Sequence, residues 1–191
     1  MADNLGLTAI DPRDYLVTER LRDGGTMRIR AIRPDDQQRL RWHFESLSAQ
    51  ARYFRFFGER STLAQADLAY FTELDFVRHV GLAATVAENG LERFIGVGRY
   101  FRGEDARAEI ALAVLDQHQG RGIGSLLIKH LALLAGQAGI VEFVADVMGG
   151  NRRVLEFLRR RGCVIHHTNA SGIIHFTLRC AESFSAATRR S

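Results

Sequence analysis

Three glycines within five positions, Gly120, Gly122 and Gly124, separate a segment typical of a strand from a segment typical of a helix. The stretch reads LDQHQGRGIGSLL, residues 115–127. Without side chains at these positions, the backbone N–H groups of the turn and of the first helical turn can point at one shared place. The pattern predicts a phosphate-binding turn, and a tight strand-to-helix turn without a ligand is the alternative.

Two common phosphate-binding turns do not match this segment. A Walker loop needs G-x-x-x-x-G-K-[S/T], and the single lysine of the chain, Lys129, is in the wrong position. A dinucleotide fingerprint needs G-x-G-x-x-G, but Ser125 stands where the third glycine belongs. The repeated strand and helix units that would follow such a fingerprint are also missing. The turn therefore belongs to another class of phosphate site.

Composition indicates one globular domain in a chain of 191 residues that is 46% hydrophobic and 25% charged. No apolar run approaches the length of a membrane span, and the N-terminus has no signal-peptide pattern, so we expect a cytoplasmic protein. Of 26 Lys and Arg residues only one is Lys. Arginine favours anionic ligands, although genomic base composition explains the bias equally well. A net charge of +4 gives no reason to expect nucleic-acid binding.

Hydrophobic patterns predict alternating strands and helices. Two alternating runs around RDGG, residues 22–25, predict a hairpin, and helical patterns follow Pro34 and cover residues 63–74. RYFRFF, residues 52–57, is better explained by helix packing than by binding of single-stranded nucleic acid. Further strands are predicted at residues 80–88, 93–101, 106–115 and 140–148, a helix after the glycine turn, a helix capped by Asn151, and two last strands in CVIHHT and GIIHFTLRC.

The element order indicates an α+β or mixed α/β domain at residues 15–182, between a flexible arm at 1–14 and a tail at 183–191. The strand, turn, helix and strand at residues 106–148 predict a right-handed crossover.

The glycine turn resembles the acyl-CoA motif of the GNAT family of N-acetyltransferases, [Q/R]-x-x-G-x-[G/A], which Gln119, Gly122 and Gly124 match in full. Order and spacing of the elements agree with that family over residues 27–180. The resemblance implies a central mixed, mostly antiparallel sheet flanked by helices, and acetyl-CoA as the co-substrate.

A second motif supports the same resemblance. NRRVLEFLRRRGC, residues 151–163, is similar to the family's N-x-x-A-x-x-L/F-x-x-x-x-G-F helix, with Val154 and Cys163 as mild departures. LRDGGTMRIRAIRPDD, FESLSAQARYFRFF and LDFVRHVGLAATV are similar to the acetyltransferase domain of bacterial protein-lysine acetyltransferases. That domain also occurs fused to acyl-CoA synthetase or cyclic-nucleotide-binding modules, and neither module is present here.

The resemblance assigns the acetyl-CoA contacts. The pyrophosphate would bind at the turn, where the helix dipole and backbone amides favour it, and the pantetheine arm would pair with the strand before it. A bulge near that strand's end would separate it from the next strand and open a slot. The implied binding residues are Leu112, Ala113, Val114, Gln119, Gly120, Arg121, Gly122, Ile123, Gly124, Ser125, Asn151 and Phe157.

Glu109 is the candidate general base. An amine with a lysine-like pKa of about 10.4 is protonated at neutral pH, so a group must take its proton before it attacks the thioester. Glu109 is the one carboxylate in the strand ARAEIALAVL, and its position resembles the base of GNAT lysine acetyltransferases. We expect burial to raise its pKa, and pairing with an arginine is the alternative. Ala111 and Ala113 would leave room beside it.

A tyrosine often follows the Phe157 position in the family and protonates the departing thiolate, but here Leu158 stands there. Asp75 and His79 precede a strand at which the acceptor could enter, so we expect them to contact it. A protein lysine is the first choice of acceptor and a small-molecule amine the second, with a non-catalytic acyl-CoA sensor as a further alternative. We expect a monomer or homodimer and no metal, since the adjacent His166 and His167 point to opposite faces of a strand.

Overall fold

The computed structural model describes residues 10–160, 163–168 and 172–180. Most of the predicted arm and the whole predicted tail lie outside these ranges. The strands are β1 (Leu16–Arg20), β2 (Thr26–Ala31), β3 (His79–Glu88), β4 (Leu91–Arg102), β5 (Arg107–Val114), β6 (Glu142–Met148), β7 (Val164–Thr168) and β8 (Ile173–Arg179). The helices are α1 (Gln37–Ser46), α2 (Ala49–Phe56), α3 (Gln65–Thr72), α4 (Ile123–Gln137) and α5 (Arg152–Arg159).

The eight strands form one sheet in the order β1-β2-β3-β4-β5-β6-β8-β7. β5 and β6 are parallel and are joined through α4, whereas the other neighbouring pairs are antiparallel. The predicted α+β fold with a mixed, mostly antiparallel sheet is confirmed. The hairpin around RDGG is confirmed as the β1–β2 connection.

Helices cover both faces of the sheet. On one face α4 packs in a core with residues of β2 to β5, and on the other face α1 and α3 pack on Phe94 and Val97 of β4. The RYFRFF segment lies mostly in α2, where Phe56 packs edge-on against Phe44 of α1. The interpretation of that segment as a packed helix is therefore confirmed.

Two glycines of β4 set the distance between α4 and the sheet. A Cβ atom on Gly96 would lie 2.9 Å from Ile123 Cγ2 and 3.2 Å from Leu127 Cδ1. A Cβ atom on Gly98 would lie 3.0 Å from Leu131 Cδ1. Since interiors are close-packed, these absent side chains allow α4 to lie directly on the strand. Its first turn is thereby held beside the end of β5.

β5 and β6 separate soon after they begin. Only Arg107, Ala108 and Glu109 of β5 pair with β6, at Glu142–Val144, although both strands continue. Beyond Glu109, β5 keeps β4 as its partner and β6 keeps β8. The expected separation is therefore present. The register of β4 with β5 is continuous, and the neighbouring irregularity lies between β3 and β4 at Ala84/Thr85, so no bulge in β5 produces it.

Two buried histidines lie on the sheet face that α1 and α3 cover. His43 of α1 is bonded through Nδ1 to the Phe94 carbonyl at 2.9 Å, and burial and the nearby Arg99 lower its pKa to about 4. Burial and Arg99 likewise lower the pKa of His79 to about 4. Both side chains are therefore neutral in the folded protein at neutral pH.

We predict that Gly96→Ala destabilises the protein by about 1–3 kcal/mol, because the added methyl group overpacks the contact with α4. Urea unfolding followed by circular dichroism measures the change. Gly136→Ala is the matched control, since a Cβ there meets nothing within 4 Å and alanine favours the helix by up to about 1 kcal/mol. Equal stability of Gly96→Ala and wild type would contradict the close packing of α4 on β4.

We predict that stability falls as the pH is lowered from about 7 to about 5. The unfolded chain binds protons with a histidine pKa of about 6.5, whereas folded His43 and His79 resist protonation down to about 4. His43 alone accounts for about 2 kcal/mol at pH 5. Carboxylates with lowered pKa, such as Glu19 and Glu92, titrate below this window. Urea unfolding at the two pH values would refute the prediction if it gave equal free energies.

Candidate active site

A cavity of about 730 Å³ occupies the gap between β5 and β6 and extends to the first turn of α4. Its volume is typical of a small-molecule or cofactor site. β6, α5 and β8 form one wall, and α2 closes part of the opening with Phe54 and Arg55. The predicted residues that line it are Glu109, Leu112, Ala113, Val114, Gln119, Gly120, Gly122, Ile123, Gly124, Ser125, Asn151 and Phe157.

The glycine turn has the backbone of an anion site. Gly120 and Gly122 adopt φ values of +81° and +96°, which L-residues with side chains rarely adopt. α4 begins directly after Gly122, and its first backbone bond runs from Leu126 N to the Gly122 carbonyl at 3.0 Å. The preceding helical amides therefore have no intrahelical acceptor. These amides and the helix dipole fit the two negative phosphates of a pyrophosphate group.

The tip of the β1–β2 hairpin contacts this turn. Arg22 N donates to the Arg121 carbonyl at 3.3 Å, and Asp23 forms an ion pair with the Arg121 guanidinium at 2.5 Å. Arg121 also contacts Nδ1 of His118 at 2.9 Å and does not line the cavity. The positive charge of Arg121, which was expected to contact the ligand, is therefore paired with Asp23 of the hairpin.

Arg22 is a cavity residue that the sequence analysis missed. Its Cγ and Nε lie 3.5 Å from the position of a Cβ on Gly122, and it lines the cavity. The RDGG sequence predicted the hairpin turn but gave no sign that the turn contacts a segment about a hundred residues away. The arginine that lines the cavity beside the glycine turn thus comes from the N-terminal hairpin.

The side chain of Gln119 connects elements of the site. Its Nε2 donates to the Val114 carbonyl at 2.9 Å, and its Oε1 accepts from Arg153 of α5. The Val114 carbonyl therefore points away from β4 and towards the gap. Because strand groups repeat every two residues, the N–H and C=O of Leu112 point the same way. They are available to pair with an extended ligand lying in the gap.

The second motif forms the far wall. Asn151 caps α5, since its side chain accepts from Val154 N at 3.3 Å, and this confirms the predicted cap. Phe157 Cζ lies 3.9 Å from the Cβ position of Gly124, so the glycine leaves room for the ring. Leu158, which stands where many members of the family have a tyrosine, is buried. Among the described residues that line the cavity there is no tyrosine.

Glu109 lies where β5 leaves β6. It pairs with Val144 on one side and Phe101 on the other, and the residue lines the cavity. The residue is exposed, so the expected burial of this side chain is not observed in the protein alone. In the part of the chain that the structure describes Glu109 forms no ion pair, although its charge acts on Arg55 of α2.

Asp75 and His79 do not line the cavity. Asp75 Oδ1 accepts from the backbone N of Val77, Arg78 and His79 at 2.8–2.9 Å. Burial alone would raise the pKa of Asp75, but these bonds lower it below its usual value. His79 is buried against Phe101 and bonded to Arg99 at 3.2 Å. Both residues therefore have structural partners away from the cavity.

Neither a metal-binding cluster nor a membrane-spanning helix is found in the described residues. Across residues 10–160, 163–168 and 172–180 no group of three or more His, Cys, Asp or Glu side chains is arranged to hold a metal ion. The side chains of His166 and His167 lie outside this description. No helix in the same ranges is long and apolar enough to cross a membrane.

Comparisons with known proteins agree with the geometry of the site. Residues 35–163 match the Acetyltransferase (GNAT) family. A Pseudomonas aeruginosa acetyltransferase is 31% identical over 76% of this chain and 79% of its own length. Acetyltransferase Pat of Mycolicibacterium smegmatis is 33% identical over 75% of this chain, which spans only 43% of that protein.

Solved structures extend the likeness to the three-dimensional fold. The GNAT domain of S. lividans PAT has a TM-score of 0.80 and 35% identity, over 86% of this chain and 96% of that one. A cAMP-binding acyltransferase from Mycobacterium smegmatis has a TM-score of 0.61 and 25% identity, over 92% of this chain and 50% of that one. The strand separation, the glycine turn and these matches lead to one conclusion: the chain belongs to the GNAT family of acetyltransferases.

Proposed function

We propose that the protein transfers the acetyl group of acetyl-CoA to a primary amine, with a protein lysine side chain as the acceptor. The observation that carries the proposal is the position of Glu109, a carboxylate at the point where β5 leaves β6, in a cavity that ends at the α4 N-terminus. The likeness to two Pat proteins at 33% and 35% identity supports a protein lysine as the acceptor.

Acetyl-CoA supplies an activated acyl group as a thioester. In the proposal the amides of residues 120–125 and Arg22 hold its pyrophosphate, and the backbone of Leu112 holds the pantetheine arm. Asn151 and Phe157 shape the opposite wall. Ala111 and Ala113 line the cavity beside Glu109 and leave space for the reacting groups.

Glu109 is the proposed general base. It accepts a proton from the ammonium form of the acceptor, directly or through a water molecule, and so frees the nitrogen lone pair. The new C–N bond forms as the C–S bond breaks, and the CoA sulfur leaves with the bonding electrons. The second proton of the attacking nitrogen then passes to the departing thiolate or to solvent, which leaves a neutral amide. A thiol of pKa about 8.5 leaves adequately as the anion, so the mechanism does not depend on a tyrosine at position 158.

We predict that Glu109→Gln lowers kcat by about 10²–10⁴-fold, because the amide cannot accept the proton. The affinity for acetyl-CoA, measured by calorimetry, should stay within about twofold of wild type. Release of CoA is followed with lysine-containing bacterial proteins and polyamines as acceptors. Lys129, the single lysine, is bonded to Glu19 at 3.0 Å, so labelling of the enzyme itself should be low.

Glu104→Gln is the matched control, since Glu104 is an exposed carboxylate in the turn before the same strand. Full activity of Glu109→Gln with a working acceptor would reject Glu109 as the base. Tight acetyl-CoA binding by wild type with no acetylated product would instead favour an acyl-CoA sensor.

We predict that Arg22→Ala weakens CoA binding by about tenfold, which is the contribution of one charge-assisted phosphate contact. Calorimetry with CoA measures the change. Arg28→Ala is the control, because Arg28 is an exposed arginine in β2 of the same hairpin and does not line the cavity. If both variants bind CoA as wild type does, Arg22 has no part in phosphate binding.

A further inference from the structure

A second, smaller cavity of about 40 Å³ lies beside the first, between the sheet and helices α1 and α2. Three residues line both cavities: Leu47, Arg55 and Ala111. On the sheet side its floor is formed by Val97 and Arg99 of β4 and by Ala111 of β5, which is the register partner of Arg99. The small cavity therefore adjoins the large one at Ala111, two residues after Glu109.

Arg99 is a buried cation without a carboxylate partner. The residue is 3% exposed, and its Nη1 contacts two neutral acceptors, the Phe71 carbonyl at 3.4 Å and His79 Nε2 at 3.2 Å. Its guanidinium lies 4.4 Å from the centre of the Phe71 ring. Burial and the charge of Arg55 lower the pKa of Arg99 to about 9. Within the described residues Arg99 makes no ion pair, and neither does Arg55.

Arg99 is buried and the neighbouring Arg55 is half-buried, so two like charges lie close together and need compensation. A buried charge left unpaired is strongly destabilising, and burial and Arg60 both act against the charged form of Arg55. The carboxylate that acts on Arg55 from a distance is Glu109, and it is exposed in the large cavity. Two arginines thus line a small cavity to which the described part of the chain contributes no carboxylate.

A third polar group faces the same space. His43 lines the cavity and is 2% exposed, and its Nε2 has no hydrogen-bond partner among the described residues. A cavity of this volume holds about three water-sized groups. It can therefore contain a small anion between the guanidinium groups together with a water molecule that donates to His43 Nε2.

We infer that this cavity is a binding site for one small monovalent anion, held between Arg99 and Arg55. The ligand chemistry is that of a chloride ion or a carboxylate group. The source is either free chloride or the carboxylate of an acceptor that enters from the large cavity beside Ala111. The second source rests on the proposed acetyl transfer, whereas the anion site itself does not.

Crystals of the full chain grown in sodium bromide test the site directly. We expect an anomalous bromide peak between the Arg99 and Arg55 guanidinium groups. In solution, replacing gluconate, which is too large for the cavity, by about 200 mM chloride at constant ionic strength should raise the Tm by about 3 °C. Arg99→Gln should remove the peak and the chloride-specific rise. Arg55→Gln is the second variant if Arg99→Gln does not fold.

Three results would overturn the inference. One is the absence of the bromide peak, and another is a chloride-specific Tm rise that persists unchanged in the variants. The third is a peak without any Tm response, which means an adventitious ion only. None of these measurements needs catalytic turnover, so they test the anion site even if the proposed acetyl transfer is wrong.

Steady-state kinetics with the active enzyme distinguishes the two sources of the anion. If the site holds the acceptor's carboxylate, chloride should raise KM about tenfold for an amino acid acceptor and leave KM for a polyamine unchanged. If the site holds free chloride, the two acceptors should respond alike. Both results keep the anion site and assign its occupant.

Discussion

The loss of pairing between β5 and β6 after Glu109 is the constraint on which the rest of the site depends. It leaves backbone groups in the middle of a sheet without a strand partner, and such groups need hydrogen bonds from another source. Gln119 supplies one of them at the Val114 carbonyl. The remaining edge is a template for an extended ligand, and the α4 N-terminus lies at its end because β5 leads directly into the glycine turn. One short segment thus accounts for the separation of the strands, for the unpaired edge of β5 and for the proposed anion-binding turn that follows it.

The packing of α4 on the sheet determines where its first turn lies in the site. Ile123 and Leu127 pack onto the glycine positions of β4, while the backbone of the same first turn faces the cavity. A helix held further from the sheet would present its amides in another place. The packing of apolar side chains on one side of the helix therefore fixes the geometry of a polar site on the other, without any polar contact between them.

Much of the fold followed from local sequence. Alternating and helical patterns identified the strands and helices, and the glycine spacing identified a turn with φ values that glycine alone adopts readily. What sequence did not reveal depends on contacts between distant segments: Arg22 beside Gly122, α2 across the opening, and Arg99 buried beside Arg55. Asp75 and His79 were placed by their proximity to a strand in sequence, but their hydrogen bonds are internal to the turn and to the sheet face.

The contact between the β1–β2 hairpin and the glycine turn joins the outermost strand of the sheet to its centre. β1 has a neighbour on one side only, and edge elements open at lower free energy than the core. Opening of this hairpin removes the Asp23–Arg121 pair and displaces Arg22 from the turn. A ligand held by Arg22 must in return suppress that opening. Hydrogen exchange of the β1 and β2 amides is thus thermodynamically linked to occupancy of the proposed phosphate site, so local opening at the edge of the sheet would report on a ligand bound at its centre.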